Sequence, residues 1–409
     1  MLLRAFLFFA FIFGVEWYAF QALTTVFGSG SLISTLYFSA TGLIFLSILL
    51  YFNFSLRERL RIPRQLLMAI FFLLFIPKIF ILPFMLTEDV VRLLKLGIDA
   101  AGGPDLGTGR SVLWDSIALI FSGGISLAFI YGALFNVYNY KVRKVPITLM
   151  DLPGSFNGLK VVQISDIHSG SLSDIKAVQK AVDRINALQP DLIFFTGDLV
   201  NNIAAEAVQF VDVFARLRAK HGVYSILGNH DYGDYMMWND PSDKVKNLDT
   251  LKELHARMGW KLLLNEHIYI ERDGEKIAVA GVENWSARGR FHSYGKLNEA
   301  LQGIQDSLTV LLLSHDPSHW EAEILEHPTR VDITFSGHTH GMQFGMELFR
   351  FKWSPVQYLY KQWAGLYRNK EKYLYVNRGF GVIGYPGRVG ILPEITLFTL
   401  YSAQDAASE

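Results

Sequence analysis

Residues 159–168 read LKVVQISDIH, an apolar run that ends in a polar Ser-Asp-Ile-His cluster. Four later stretches have the same form: DLIFFTGD (191–198), VYSILGNHD (223–231), TVLLLSHD (309–316) and DITFSGHTHG (332–341). Short apolar runs bounded by Gly and Asp are typical of buried strands. Because residues at the carboxyl ends of such strands point into one crevice, we expect the five clusters to form a single site.

The five clusters offer carboxylate, amide and imidazole groups. These donors suit Mn, Fe, Zn or Mg rather than a soft metal or an iron–sulfur cluster. The chain contains no Cys, which excludes disulfides and thiolate ligation. Any one cluster alone could be a polar turn beside a core histidine, but all five in order favour a metal site.

The clusters resemble the motifs of the calcineurin-like metallophosphoesterases, over residues 159 to about 400. The matching residues are Asp166-x-His168, Gly197-Asp198, Gly228-Asn229-His230-Asp231, His315 and Gly337-His338-x-His340. Residues 374–379 and 393–395 are similar to the small bacterial membrane-associated branch that includes hydrolases of UDP-2,3-diacylglucosamine. Residues 199–202 read LVNN, which lacks the Asp-Arg-Gly of the protein serine/threonine phosphatases and argues against a phosphoprotein substrate.

The resemblance implies a four-layer αββα sandwich that holds two divalent metal ions. One ion would be bound by Asp166, His168, Asp198 and His340. The other would be bound by Asn229, His315 and His338, with Asp198 bridging the two ions. The implied reaction is attack of a metal-bound hydroxide on a phosphodiester or pyrophosphate, with His230 protonating the leaving group. Asp231 would either orient His230 or hold the turn, and the turn is preferred.

Four arginines are candidate substrate ligands. Arg288 and Arg290 lie in a Gly-containing loop that suits a second phosphate, although a solvated loop is the alternative. Arg378 and Arg388 lie near the tail motif. Residues 342–367 mix aromatic and basic side chains, which fits either a lipid headgroup surface or an ordinary core segment.

The remaining six histidines lie outside the motifs, and we expect them at the surface: His221, His255, His267, His292, His319 and His327. An aromatic and basic strip can also bind single-stranded nucleic acid. The membrane segments described next make such a partner a poor choice, so no nucleic acid is expected.

The 51% hydrophobic content of the chain is concentrated before residue 140. Four apolar stretches there approach or exceed the roughly 20 residues that cross a bilayer. We therefore predict a transmembrane domain (1–140), a basic linker (141–158), a catalytic domain (159–401) and a tail (402–409). The predicted spans are residues 2–23, 32–52, 65–86 and 112–138. A signal peptide is the competing interpretation of the first span.

Basic residues between spans two and three and after span four place both termini and the catalytic domain in the cytoplasm by the positive-inside rule. The segment 87–110 is then an outer loop, in which residues 90–96 are a candidate for a short interfacial helix. Two charged residues, Glu16 and Lys78, fall inside spans one and three at matching depth. They either form an intramembrane ion pair or extend separately to the headgroups.

Within the catalytic domain, helical periodicity predicts helices over 174–188, 203–219 and 248–258. Further strands are predicted over 276–282, 373–377 and 395–401. The function predicted is a membrane-embedded phosphohydrolase acting on a lipid-linked phosphate or pyrophosphate. A phosphodiesterase that acts on a soluble substrate and is only anchored to the membrane is one alternative. A membrane protein that senses phosphate without turnover is another.

Overall fold

The computed structural model describes residues 2–53, 56, 59–60, 62–289, 291–349 and 351–403. Arg57, Arg61, Arg290 and most of the predicted tail lie outside the described residues. The chain divides into two compact units. One comprises residues 1–134 with 384–386, and the other comprises residues 135–383 together with the chain from Gly387 onward.

The first unit is helical. Its helices are α1 (Leu2–Phe27), α2 (Ser31–Phe52), α3 (Arg64–Leu74), α4 (Ile76–Ile79), α5 (Leu82–Ala100) and α6 (Val112–Phe135). Four segments are long and apolar enough to cross a membrane: Phe6–Phe27, Ser31–Phe52, Arg64–Ala100 and Val112–Phe135. The prediction of four spans is therefore confirmed.

The third span differs from its prediction in two respects. Helix α3 ends before Pro77, and α4 ends before Pro83, so the span is broken into three helices. Proline lacks the backbone N–H that a helix interior needs, but it is tolerated in the first turn of the helix that follows. Helix α5 then continues to Ala100, so most of the segment predicted as an outer loop is helical.

Glu16 and Lys78, the charged residues singled out in spans one and three, form an ion pair. Lys78 Nζ lies 2.8 Å from Glu16 Oε2 and 3.0 Å from Oε1. Thr41 Oγ1 donates a third hydrogen bond to Glu16 Oε2, and Lys78 Nζ lies 4.5 Å from the centre of the Tyr37 ring. The pairing interpretation is the one that the structure shows.

The second unit contains 14 strands in the described part of the chain. The first seven are β1 (Lys141–Leu149), β2 (Leu159–Ile164), β3 (Leu192–Phe195), β4 (Val223–Ser225), β5 (Trp260–Leu262), β6 (Glu266–Arg272) and β7 (Glu275–Gly281). The others are β8 (Val310–Leu313), β9 (Ile333–Ser336), β10 (Met346–Leu348), β11 (Phe351–Trp353), β12 (Gly365–Asn369), β13 (Lys372–Val376) and β14 (Glu394–Ser402).

Twelve of these strands form two six-stranded sheets. The first has the order β1-β14-β2-β3-β4-β5, and the second has the order β12-β13-β9-β8-β7-β6. Strands β2 to β5 are parallel, as are β13, β9, β8 and β7. The site strands β2, β3, β8 and β9 are almost entirely buried, which explains their continuous apolar sequences.

The two sheets pack face to face around an apolar core that includes Val161, Phe194, Leu313, Phe335 and Phe398. The outer face of the first sheet is covered by α7 (Ile175–Ala187), α8 (Val211–Phe214) and α9 (Pro241–Arg257). The outer face of the second sheet is covered by α10 (Leu297–Leu301) and a π-helical turn at Trp320–Ile324. This is the predicted αββα arrangement.

Two local predictions are wrong. Residues 141–149, predicted as linker, form β1, which pairs in parallel with β14. Ile147 and Leu149, two residues apart, both point into the core between the sheets. The basic residues of this segment obscure this strand-like alternation in the sequence. Residues 204–214 form a 3-10 helix followed by the short helix α8, rather than one long helix over 203–219.

Candidate metal centre

All seven predicted ligand residues follow strands that end at one edge of the two sheets. Strands β2, β3 and β4 of the first sheet are followed by Asp166 and His168, Asp198 and Asn229, respectively. Strand β8 of the second sheet leads to His315, and β9 leads to His338 and His340. The face-to-face packing of the sheets brings these residues together from sequence positions that span 175 residues.

Five of the seven residues have a left-handed backbone conformation. Their φ angles are 52° at Asp166, 47° at His168, 63° at Asp198, 71° at His338 and 52° at His340. Such a conformation costs on the order of 1–3 kcal/mol for a residue other than Gly, and it persists only where the surrounding structure enforces it. Its concentration at these strand ends shows that the fold is held in a demanding geometry at the site.

Glycine is required where strand-end loops approach each other closely. A Cβ atom added to Gly337 would lie 1.9 Å from Ser165 Oγ and 2.3 Å from Asp166 Oδ2. A Cβ atom added to Gly228 would lie 2.3 Å from Asp198 Oδ1. The Gly residues of the Gly-Asn-His-Asp and Gly-His-x-His motifs therefore make room for the carboxylates of the site.

One group of donors consists of Asp166, His168 and His340. His340 Nε2 lies 3.3 Å from Asp166 Oδ1 and 2.9 Å from His168 Nε2. Both oxygens of Asp166 accept a hydrogen bond from the backbone N–H of His338, at 2.9 and 3.1 Å. The Asp198 Oδ2 atom lies 3.6 Å from His168 Nε2, so this carboxylate borders the group.

A second group consists of Asp198, His315 and His338. His315 Nε2 lies 3.1 Å from Asp198 Oδ2, while its Nδ1–H donates to the Thr196 carbonyl oxygen at 2.7 Å. Asn229 Oδ1 lies 2.7 Å from His338 Nδ1 and 3.2 Å from His315 Nε2. Asp198 thus lies between the two groups.

The orientation of Asn229 is set by a tyrosine. The Asn229 Nδ2 amide donates to the hydroxyl of Tyr235 at 2.8 Å. This contact leaves Oδ1 directed at the two imidazoles of the second group.

The residues of the site fit divalent cations. The Asp166 and Asp198 carboxylates are buried, and among the described residues neither forms an ion pair with a Lys or Arg side chain. Burial disfavours a charged imidazole, yet the Asp198 carboxylate raises the pKa of His315 to about 10. Buried carboxylates that no Lys or Arg neutralises attract positive charge, and the nitrogen and oxygen donors match Mn, Fe, Zn or Mg.

His230 lies beside both groups and has one ring nitrogen committed. Its Nδ1–H donates to the Asn201 carbonyl oxygen at 2.7 Å, and its backbone N–H donates to Asp198 Oδ1 at 2.8 Å. The ring lines the cavity at the site and lies edge-on to His168, with centroids 4.9 Å apart. The Nε2 atom is therefore the ring nitrogen that remains for a bound molecule.

Asp231 holds the turn, the preferred one of its two predicted roles. Its carboxylate is buried and accepts backbone N–H groups from Asp198, Leu199, Val200 and Gly228, at 2.8–3.2 Å. It does not line the cavity. The structure thus argues against a direct catalytic role for Asp231.

Sequence reasoning missed a hydrogen-bonded chain behind His338. The Nε2–H of His338 donates to the Tyr360 hydroxyl at 2.8 Å, and that hydroxyl lies 3.3 Å from Asp316 Oδ2. Ser286 Oγ also donates to Asp316 Oδ2, at 2.6 Å. Ion binding at Nδ1 would require the proton on Nε2, and Tyr360 supplies the acceptor for that proton. Asp316 directly follows His315 in the motif, but no local pattern marks Tyr360.

The prediction that Arg378 and Arg388 bind substrate is wrong, because both guanidinium groups are buried and occupied. Arg378 pairs with Glu394 at 2.7 Å and with Glu347 at 2.5 Å. Arg388 is fully buried and donates to the carbonyl oxygens of Arg378, Gly379 and Gly381. These arginines stabilise the loop after β13.

Arg288 remains a candidate at the edge of the site. Its guanidinium stacks 4.2 Å from the centre of the Tyr360 ring, and it is partly exposed. The cavity has a volume of about 210 Å³, and its walls combine the metal-site side chains with Phe291, Met342, Val356, Leu359 and Ile383. The lining of the cavity therefore combines polar and apolar side chains.

Two of the histidines predicted at the surface are buried. His255 packs between Phe195 and Trp260, and its Nδ1 lies 3.0 Å from Ser225 Oγ. His319 is also buried, and its ring stacks on Trp285. The lack of a motif around these histidines did not indicate exposure.

Comparison with known proteins agrees with the fold. Residues 159–342 match the calcineurin-like phosphoesterase family. Residues 3–137 match a family described as a probable calcineurin-like phosphoesterase, transmembrane domain. Two packed sheets with nitrogen and oxygen donors at the carboxyl ends of their strands are the arrangement of a metallophosphoesterase. The chain belongs to the calcineurin-like metallophosphoesterase family.

Its relatives are both bacterial and eukaryotic. The chain is 31% identical over 257 residues to the uncharacterized metallophosphoesterase YkuE of Bacillus subtilis, covering 61% of this chain and 82% of that one. It is 30% identical to a zebrafish (Danio rerio) transmembrane protein with metallophosphoesterase domain over 294 residues, which cover 70% of this chain but only 62% of that protein. The cattle (Bos taurus) protein of the same description is 30% identical over 326 residues, covering 77% and 69%.

Proposed function

We propose that the chain is a dinuclear-metal phosphohydrolase that cleaves a phosphodiester or pyrophosphate bond in a lipid-linked substrate. The observation that carries the proposal is the convergence of seven nitrogen and oxygen donors beside the free Nε2 of His230. We assign residues 1–140 to a membrane anchor and residues 159–401, together with strand β1, to the catalytic domain.

The ligand assignment follows the two donor groups. Asp166, His168 and His340 would hold one ion, and Asn229, His315 and His338 would hold the other, with Asp198 shared. When bound, the two ions supply Lewis-acid polarisation of phosphoryl oxygens and acidify water to a pKa of about 7.

The remaining chemistry belongs to the chain. His230 Nε2 donates the proton that the leaving oxygen needs, while the Nδ1–H bond to the Asn201 carbonyl keeps the ring in place. The backbone bond from His230 to Asp198 ties this acid to the shared ligand. Arg288, over Tyr360 at the edge of the cavity, binds a second phosphate of the substrate.

Purified full-length protein tests the assignment by two readouts, metal content and metal-dependent hydrolysis of bis-p-nitrophenyl phosphate. His230→Ala is expected to keep its metal and to lose activity by roughly 10²- to 10⁴-fold. Asp198→Ala is expected to lose both. His327→Ala, a histidine outside the cavity, is the matched control and should keep both. Equal metal loss in the His230 and Asp198 variants would reject the role given to His230.

The lipid-linked substrate is supported by the four spans and by the apolar side chains that line the cavity. A substrate bearing a long acyl chain should inhibit hydrolysis of bis-p-nitrophenyl phosphate more strongly than a short-chain analogue with the same headgroup. Equal inhibition by the two would favour a soluble substrate and a purely anchoring role for the spans.

We further propose that the catalytic domain is cytoplasmic, from the basic residues around spans two to four. A Cys introduced at exposed Val245 should react with an impermeant maleimide in inside-out vesicles and stay unreactive in intact cells. Reaction in intact cells would reverse the orientation.

A further inference from the structure

The hairpin formed by β10 and β11 turns its polar side chains toward the protein and its apolar side chains outward. Glu347 and Lys352 are register partners, and both face the protein. Glu347 pairs with Arg378, and Lys352 Nζ donates to the Ala364 carbonyl oxygen. An antiparallel sheet with one exposed face normally turns its apolar residues inward and its polar residues outward.

Residues on the opposite face and at the tip of this hairpin are apolar and exposed. Met346, Leu348 and Phe351 are 49–56% exposed, and Phe349 at the tip is fully exposed. Tyr358, shortly after the hairpin, is 75% exposed. We call these five residues the apolar rim. Five large apolar side chains exposed within so short a segment point to a surface that another apolar phase covers.

The apolar rim is continuous in sequence with the wall of the catalytic cavity. Met342 precedes the hairpin and Leu359 follows Tyr358, and both are more than 40% exposed while also lining the cavity. Two exposed residues of the cavity wall therefore flank the apolar rim in the sequence, one on each side.

We infer that the apolar rim inserts into the headgroup layer of the bilayer, so that an acyl-bearing substrate passes from lipid into the cavity. The bilayer is favoured over a protein partner because this chain carries four membrane spans, so that lipid is always present. Aromatic side chains such as Phe349 and Tyr358 are typical of residues at this level of a membrane. The inference rests on the proposed function only for the substrate, and insertion can be measured without turnover.

The absence of cysteine makes the test direct, because a single introduced Cys is the only labelling site. Full-length Phe349→Cys carrying an environment-sensitive fluorophore would be reconstituted in substrate-free vesicles of phosphatidylethanolamine and phosphatidylglycerol. The matched control is Val245→Cys, an exposed apolar position on α9. Metal content of both labelled proteins verifies that the catalytic domain is folded.

At Phe349 we expect a blue-shifted emission that is quenched more by a nitroxide near the headgroup than by one at the chain end. Interfacial anchors lie roughly 5–10 Å into the headgroup region, which explains the depth preference. At Val245 the label should stay in water. A Phe349 label as accessible to aqueous quencher as the control would overturn the inference. So would efficient cross-linking of Phe349→Cys between two copies, which would identify a protein interface instead.

Discussion

Replacing Tyr360 with Phe removes one hydroxyl and leaves the ring that packs against His338. The Nε2–H of His338 would lose its acceptor at 2.8 Å in a nearly buried position. An unsatisfied buried donor costs about 1–3 kcal/mol. Loss of such an outer partner typically weakens metal affinity by roughly 10- to 100-fold, which corresponds to about 1.4–2.7 kcal/mol. The two estimates agree.

The assay is competition between the protein and a chelator for Mn²⁺, measured on the full chain without any substrate. We expect Tyr360→Phe to lose roughly 10- to 100-fold in affinity at one of two sites. Tyr358→Phe is the matched control, since its hydroxyl is exposed and lies outside the cavity. Unchanged affinity in Tyr360→Phe would refute the positioning role.

A double-mutant cycle with Asp316→Asn separates a connected chain from two independent contacts. Asp316 Oδ2 lies 3.3 Å from the Tyr360 hydroxyl and 3.6 Å from His338 Nε2, so it can act on His338 through the hydroxyl or directly. If it acts through the hydroxyl, the double variant should lose little more affinity than the more impaired of the two single variants. Additive losses would show that Asp316 acts by another route, such as its bond from Ser286.

Three further predictions concern stability and the site backbone. Glu16→Gln or Lys78→Met should each destabilise the protein by about 3–5 kcal/mol, because one buried charge is left alone, and the charge swap should recover part of the thermal midpoint. Burial lowers the pKa of His255 to about 3, so the folded state stays neutral while the unfolded state takes up a proton below about pH 6.5. Stability is thus lost as pH falls, by about 2 kcal/mol between pH 6.5 and 5, and His255→Gln should flatten that slope in denaturant titrations. Gly337→Ala should deplete bound metal, because its Cβ would meet Ser165 Oγ.

The glycine substitution has a matched control within the chain, and the other two predictions each have an outcome that would contradict them. Gly154→Ala, where an added Cβ meets nothing within 4 Å, should leave metal content unchanged. A charge-swapped protein no more stable than the single variants would show that the ion pair depends on its surroundings rather than on its own charges. An unchanged pH slope in His255→Gln would assign the acid sensitivity to other groups.

The candidate ligand residues could be located in the sequence because the motifs that carry the family resemblance are local. Each motif combines a buried strand with polar residues directly after it, and parallel strands bring such ends to one edge. The four spans follow from apolar length in the same way, whereas the αββα layering is what the family resemblance implied. These features need no knowledge of which residues meet across the fold.

What the sequence did not indicate depends on contacts between distant segments. Tyr360 meets His338 across 22 residues of irregular chain, in a segment where aromatic residues could equally face lipid. Arg378 and Arg388 look like phosphate ligands until Glu347 and Glu394 are placed beside Arg378 and backbone carbonyls around Arg388. Charge in the sequence does not reveal whether its partner is internal.

The left-handed backbone conformation of the candidate ligand residues depends on the core between the sheets. A strand end with φ near +50° is stable only if the strand behind it cannot shift, since a relaxed backbone would regain on the order of 1–3 kcal/mol at each position. The sheets prevent that shift because their facing side chains pack against each other. The ring centroids of Phe194 and Phe335, for example, are 5.1 Å apart. The apolar core between the sheets therefore fixes the positions of the candidate ligand residues of both sheets relative to each other. Phe335→Ala would leave a cavity in that core. We expect the strained strand ends at the site to relax while the rest of the protein is still folded, because relaxation lowers their backbone energy.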